Sequence, residues 1–133
     1  MFEHNDAFSG FSVNDVEAAR RFYGETLGLT VALNEMGILD ITLGSGARLI
    51  AYPKDDHQPA TFTILNFLVS DIEAAVDGLM AAGVQMQHYP PSEFMKQDAK
   101  GIARDPNGPA IAWFTDPAGN VLSVIESDGR GGM

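Results

Sequence analysis

Val13-Asn14-Asp15-Val16-Glu17-Ala18-Ala19 returns 56 residues later as Val69-Ser70-Asp71-Ile72-Glu73-Ala74-Ala75, with five of the seven positions identical. A repeat at that spacing means that one supersecondary unit is used twice. Each copy follows an alternating run expected to be a strand, Phe8 to Val13 and Ile64 to Val69, and opens a helical pattern. Asn14 or Asp15 in the first copy, and Ser70 or Asp71 in the second, can accept from the free N–H groups of a first helical turn. Glu17 and Glu73 suit the positive end of the helix dipole. In the second helix Ile72, Ala75, Val76, Leu79 and Met80 recur at helical spacing and form an apolar stripe that needs a surface to pack on. Both helices are expected to stop at a glycine, Gly28 and Gly83, in the left-handed conformation.

Further strands follow each helix. They are expected over Thr30 to Leu33, Ile38 to Leu43 and Arg48 to Tyr52 in the first half, and over Val84 to Tyr89, Ala110 to Thr115 and Val121 to Ile125 in the second. Gly44-Ser45-Gly46 and Asp116-Pro117-Ala118-Gly119-Asn120 read as hairpin connections. Gly46 and Gly119 stand 73 residues apart rather than 56, so the second copy holds about 17 extra residues between Gly83 and Ala110. A loop of that length in a small domain is commonly a functional lid or a flexible segment. The expected class is therefore α+β: two βαβββ modules whose mixed sheet is cupped into a half-barrel, with the helices on the outer face. Residues 1–127 form one domain on this reading, with module one at about 6–53, a linker at 54–60, module two at 61–127 and a flexible tail at 128–133.

Composition narrows the function. A chain of 133 residues with 45% hydrophobic and 20% charged side chains can bury a core. No apolar run reaches the roughly 20 residues of a membrane span, and the first residues lack a signal-peptide pattern, so a cytoplasmic protein without membrane contact is expected. Without cysteine, neither disulfides nor thiolate metal sites are available. Eight Lys and Arg against 18 Asp and Glu give a net charge of -10, which argues against nucleic-acid binding. The three histidines, His4, His57 and His88, share no helical or strand spacing, and no serine is placed near a histidine by sequence logic.

The paired helix starts, Phe22-Tyr23 followed by Leu27-Gly28-Leu29, and Phe114-Thr115-Asp116-Pro117-Ala118-Gly119-Asn120 together resemble the glyoxalase/bleomycin-resistance/extradiol-dioxygenase superfamily, also called vicinal oxygen chelate, over about residues 6 to 127. The resemblance implies a divalent metal held in the cup by a residue, usually His, seven positions before each helix-starting Asp, and by a carboxylate on the last strand of a module. Here those positions hold Phe8, Ile64, Ile50 and Ser123. Phe and Ile offer no lone pairs and a neutral Ser hydroxyl is a poor ligand for such ions. The expectation is thus a member with no metal and no cofactor.

Strand parity names the lining of the hollow face. Phe8, Ile50, Ile64 and Trp113 are expected there, either touching a ligand or filling the space themselves. Asp40, Arg48, Tyr52, Asn66, Thr115 and Ser123 are the polar candidates, with Asp40 and Arg48 alternatively a rim ion pair and Asn66 a buried amide in need of a partner. Phe94, with Met95, either caps a ligand from the long loop or packs beneath it. The leading expectation is a small-molecule-binding protein that sequesters its ligand, similar to bleomycin-resistance proteins. The alternative is a lyase, isomerase or dioxygenase-like enzyme with an unusual site. The resemblance also implies a homodimer.

Overall fold

The computed structural model describes residues 1–92 and 95–127. The chain divides into two compact units between Pro59 and Ala60.

The first unit is a βαβββ module. Strand β1 (Ser9–Val13) leads into helix α1 (Val16–Arg21), and β2 (Thr30–Leu33), β3 (Leu39–Thr42) and β4 (Arg48–Pro53) follow. Asp15 caps α1 by accepting from the N–H groups of Glu17 and Ala18. The helix does not run regularly to its glycine. Phe22–Thr26 form a π-helical turn, in which the N–H of Leu27 donates to the carbonyl of Phe22 at 2.9 Å, and Gly28 then takes φ +75°. The widened turn carries Tyr23 into complete burial, edge-on to Phe22 and tilted against Phe11.

Strand order in this mixed sheet is β1-β4-β3-β2, with β1 and β4 parallel and the other pairs antiparallel. Val13, Ala51, Leu39 and Ile41 share one face and are fully buried, and α1 packs on β3 and β4. The alternate set, Gly10, Ser12, Arg48, Ile50, Tyr52 and Asp40, therefore occupies the opposite face, as parity predicts.

The second unit opens identically, with β5 (Thr63–Val69) and α2 (Ile72–Ala81), and closes with β6 (Ile111–Thr115) and β7 (Val121–Glu126). Asp71 caps α2 through the N–H of Ala74, Ile72 and Val76 are buried, and Gly83 ends the helix at φ +93°. Met80, expected in the buried stripe, is 49% exposed. The sheet has three strands in the order β5-β7-β6, with β5 parallel and β6 antiparallel to β7. Leu122, Val124, Ala112 and Phe114 form its buried, helix-facing side.

The sequence predicts a strand over Val84 to Tyr89, but that segment contributes a single bridge, Met86 to Phe114. A second bridge joins Ala103 to Ile111, so two isolated contacts occupy the outer edge of β6 where the first unit has a whole strand. A run with Pro90 and Pro91 at its end cannot donate a continuous ladder.

The Asp116–Asn120 turn shows why its residues are needed. Asp116 is 4% exposed, and its carboxylate accepts from the N–H groups of Ala118 and Asn120 and from the Asn120 side-chain amide. Gly119 supplies the required positive φ of +84°. This carboxylate is spent on the turn.

Candidate functional site

In the first unit the cross-strand register brings the expected residues into rows. Gly10 stands beside Ile50, and Ile50 beside Asp40; Ser12 stands beside Tyr52, and Arg48 beside Thr42. A Cβ on Gly10 would lie 2.9 Å from Ile50 Cγ1, so the isoleucine side chain lies against the bare glycine. Phe8 precedes β1 and is 58% exposed, with the Arg48 guanidinium 5.4 Å from its ring centroid. Such an arrangement is a cation–π contact. Both residues border an open cleft of about 450 Å³ that also touches Asp6 and Gly46. The Asp40–Arg48 rim pair is not formed: among the described residues, the ion pairs involve neither side chain. The two stand on different rows, and Arg48 is turned to Phe8.

Ser12 Oγ lies 2.7 Å from His57 Nδ1. Sequence logic alone places no serine near a histidine, and the fold brings this pair together. The 45 residues between them hide the pair from any local motif. It forms because β1 and β4 are parallel neighbours and the chain turns directly after β4, with the N–H of His57 donating to the Lys54 carbonyl.

In the second unit Asn66, Ser123 and Trp113 form one row across β5, β7 and β6. Ser123 is fully buried and donates to Asn66 Oδ1 at 2.5 Å. Asn66 is exposed rather than the buried amide expected. Ile64 departs from simple alternation. Thr63 pairs with Val121 and Leu65 with Leu122, which leaves Ile64 in a β-bulge without a cross-strand partner. Thr115 pairs with Val121 at the far end of the sheet. Trp113 is half-buried and meets Tyr89 edge-on, with ring centroids 5.6 Å apart at 78°. Phe94 lies outside the described residues, as does the tail 128–133.

The long segment after Gly83 covers part of this sheet. Met95, Ala103, Gly108 and Pro109 combine with Ile111, Trp113 and Ile125 to enclose a cleft of about 290 Å³, with Lys96, Arg104 and Asp105 also on its lining. Gln97, which the sequence did not single out, fastens the segment. Its amide donates to the carbonyls of Gln87 and Gly101 at 2.9 and 2.8 Å, and its oxygen accepts from the N–H of Tyr89 at 2.7 Å. Ion pairs tie the same segment to α2. Lys100 reaches Glu73 and Asp77 at 2.9 and 2.8 Å, and Arg104 reaches Glu73 and Asp98 at 2.9 and 2.7 Å. The Lys100 and Arg104 hydrogen bonds hold the Glu73 carboxyl below its ordinary value. For Asp98, burial pushes upward, but the N–H groups of Ile102 and Lys100 and the Arg104 guanidinium outweigh it and the net direction is down. None of these contacts follows from local sequence pattern, since the partners of Glu73 lie 27 and 31 residues away.

With this geometry in hand, likeness to known proteins is informative. The family model described as "Glyoxalase/Bleomycin resistance protein/Dioxygenase superfamily" matches residues 7–124.

The chain belongs to this superfamily. Solved structures with the same fold include a lactoylglutathione lyase from Agrobacterium tumefaciens, 20% identical over 98% of this chain and 100% of that one, with a TM-score of 0.67. A superfamily member from Sphaerobacter thermophilus is 24% identical over 93% of this chain and 98% of its own, at a TM-score of 0.69. The genomically encoded fosfomycin resistance protein of Listeria monocytogenes is 12% identical over 95% of both chains, also at 0.69. No curated protein matches the sequence. At these identities the likeness establishes the fold. No helix among the described residues is long and apolar enough to cross a membrane.

The superfamily implies a divalent metal, and the residues here do not fit one. The four implied positions hold Phe8, Ile50, Ile64 and Ser123, and the only hydroxyl among them already donates to Asn66. A neutral hydroxyl–amide pair brings no charge to offset a dication. Among the described residues, no group of three His, Asp or Glu side chains is placed to hold an ion.

Proposed function

We propose that this superfamily member binds a small organic molecule without a metal, on the sheet faces opposite its helices. The cleft beneath residues 95–109, walled by Trp113, Ile111 and Ile125, is the site we favour. The observation that carries the reading is the row Asn66–Ser123–Trp113, in which the Ser123 hydroxyl, closed onto Asn66 and flanked by an indole, stands where the family's chemistry needs an anionic ligand. Apolar walls with a few polar groups are the usual make-up of a small-molecule site. Sequestration needs no more than this.

An enzymatic reading has one observation in its favour. Ser12 and His57 are within hydrogen-bond reach, the relation that a hydroxyl and its general base require. They stand on the same face as Tyr52.

The test is elemental analysis of the purified full chain, with thermal denaturation in the presence of Ni²⁺, Mn²⁺, Zn²⁺ and Fe²⁺ and of a panel of uncharged and charged aromatic compounds. The expected result is no stoichiometric metal, no metal-dependent stabilisation, and stabilisation by at least one organic compound. A compound at a hundred times its dissociation constant adds about 2.7 kcal/mol. One metal per chain, with a rise in melting temperature on reloading, overturns the metal-free reading. The same preparation is expected to sediment as a homodimer.

A further inference from the structure

We infer that the cleft of the second unit is selective for a small aromatic carboxylate, with its ring on the Trp113 side and its charge at Lys96. The inference rests on the proposal that this cleft is a ligand site, and it adds the sign of charge and the shape of the ligand.

Size and surface come first. At about 290 Å³ the cleft lies at the bottom of the range of about 300 to 1,000 Å³ that holds drug-sized ligands, so it suits a compound of one ring. Ile111, Ile125, Met95 and Pro109 give it apolar walls. Trp113 is the chain's single tryptophan, and the edge-on contact with Tyr89 restrains its indole. A restrained aromatic ring on an apolar cleft favours a planar partner, because offset-stacked and edge-to-face ring pairs gain beyond the area they bury.

Charge decides the rest. The whole chain carries eight basic against 18 acidic side chains, but the cleft lining reverses the ratio with Lys96 and Arg104 against Asp105. The two cations differ in availability. Arg104 already holds Glu73 and Asp98, whereas Lys96, which is exposed, has no carboxylate partner among the described residues. Asp105 keeps its charge but points its carboxylate into its own turn, accepting from the N–H of Asn107 at 2.8 Å. An arriving carboxylate therefore meets one uncommitted ammonium beside an aromatic wall. The overall charge of -10 points to a cationic ligand, and the local chemistry points the other way. Within a site, the charges that line it outweigh a distributed surface charge that salt screens beyond about 10 Å.

Trp113 itself reports the outcome. Its fluorescence is followed as the full-length chain is titrated with benzoate, benzamide, benzylammonium and cyclohexanecarboxylate, with calorimetry in parallel. Benzoate is expected to bind most tightly and to change the emission saturably. K96Q is expected to weaken benzoate about tenfold, the scale of a charge-assisted hydrogen bond, and to leave benzamide unchanged. R21Q, which removes an exposed cation outside the cleft, is expected to bind as the parent does. Binding of benzylammonium at least as tightly as benzoate, equal binding of cyclohexanecarboxylate, or an unaltered benzoate affinity in K96Q each overturns the assignment while leaving the cleft a ligand site. Failure of every probe to bind overturns that underlying site and the assignment together. Unchanged thermal melting of K96Q confirms that a lost affinity does not come from lost folding.

Discussion

The two units begin from one plan and depart from it at the same place. In both, an Asp caps the helix, a Glu follows two residues later, a positive-φ glycine ends the helical segment and another closes the last hairpin. The first unit completes a four-stranded sheet, whereas the second replaces one strand with two bridges and a loop held by side chains. The same repeated glutamate shows the change. Glu17 pairs with Arg20 one turn along its own helix, while Glu73 reaches out to Lys100 and Arg104 in the loop. The repeated helix start is thus common to both units, while the glutamate it carries is paired differently in each. The unit without the full backbone ladder has instead a cleft walled in part by a loop, whereas the cleft of the first unit is bordered by the start of β1 and by β4.

Three tests, using five substitutions, probe this contrast. The largest effect should come from the helix anchors, which occupy equivalent repeat positions at Tyr23 and Leu79. Tyr23 is fully buried among aromatic rings and Leu79 is half-buried. By urea denaturation, Y23A is expected to lose about 3 to 5 kcal/mol, and L79A about 2. Equal losses would mean that the π-helical turn adds nothing to the first unit's core.

Second in size is Gln97, which has no counterpart in the first unit. Q97A removes three hydrogen bonds to backbone and is expected to cost about 1 to 3 kcal/mol. Amide exchange should rise at Tyr89, whose N–H it caps, and remain unchanged through β2 to β4. Increased exchange in the first unit would show that the loop supports more than its own module.

The smallest effect belongs to the two glutamates. Both carboxyls are held below the ordinary value of 4.5, Glu17 by its hydrogen bond to Arg20 and Glu73 by those to Lys100 and Arg104. A depressed folded-state value contributes stability that is present above pH 4.5 and is lost as pH falls through the lower, folded value. Because both side chains are largely exposed, the effect is small and sensitive to salt. E73Q is expected to lower the melting temperature more than E17Q at pH 7 in low salt, with the difference shrinking toward pH 3. Identical responses of the two variants would remove the loop from the account of Glu73.

Much of the fold was legible in the residues. Asp15 and Asp71 as caps, Gly28 and Gly83 as stops, and the alternation of Val13, Leu39, Ile41 and Ala51 are local signals, and local geometry decides them. The lost strand after Gly83 was not legible, because Val84 and Met86 are buried with strand-like alternation whether or not a ladder forms. The π-helical turn escaped as well, since Phe22-Tyr23-Gly24 carries no pattern that distinguishes a widened turn from a regular one. Site residues fared by the same rule. Parity placed Asp40, Ile50 and Trp113, but a single bulge displaced Ile64, and partners such as His57 and Gln97 are chosen by contacts far along the chain.

That bulge has a meaning beyond register. Strand β5 is an outer strand of its sheet and the longest strand among the described residues, with Leu68 49% exposed. A long, flat, apolar outer strand invites another chain to extend it, the first step of uncontrolled aggregation. Interrupting the ladder between Thr63 and Leu65 bends the strand and spoils the template over its first third. The irregularity at Ile64 is thus the kind of device by which an edge strand limits pairing with another chain.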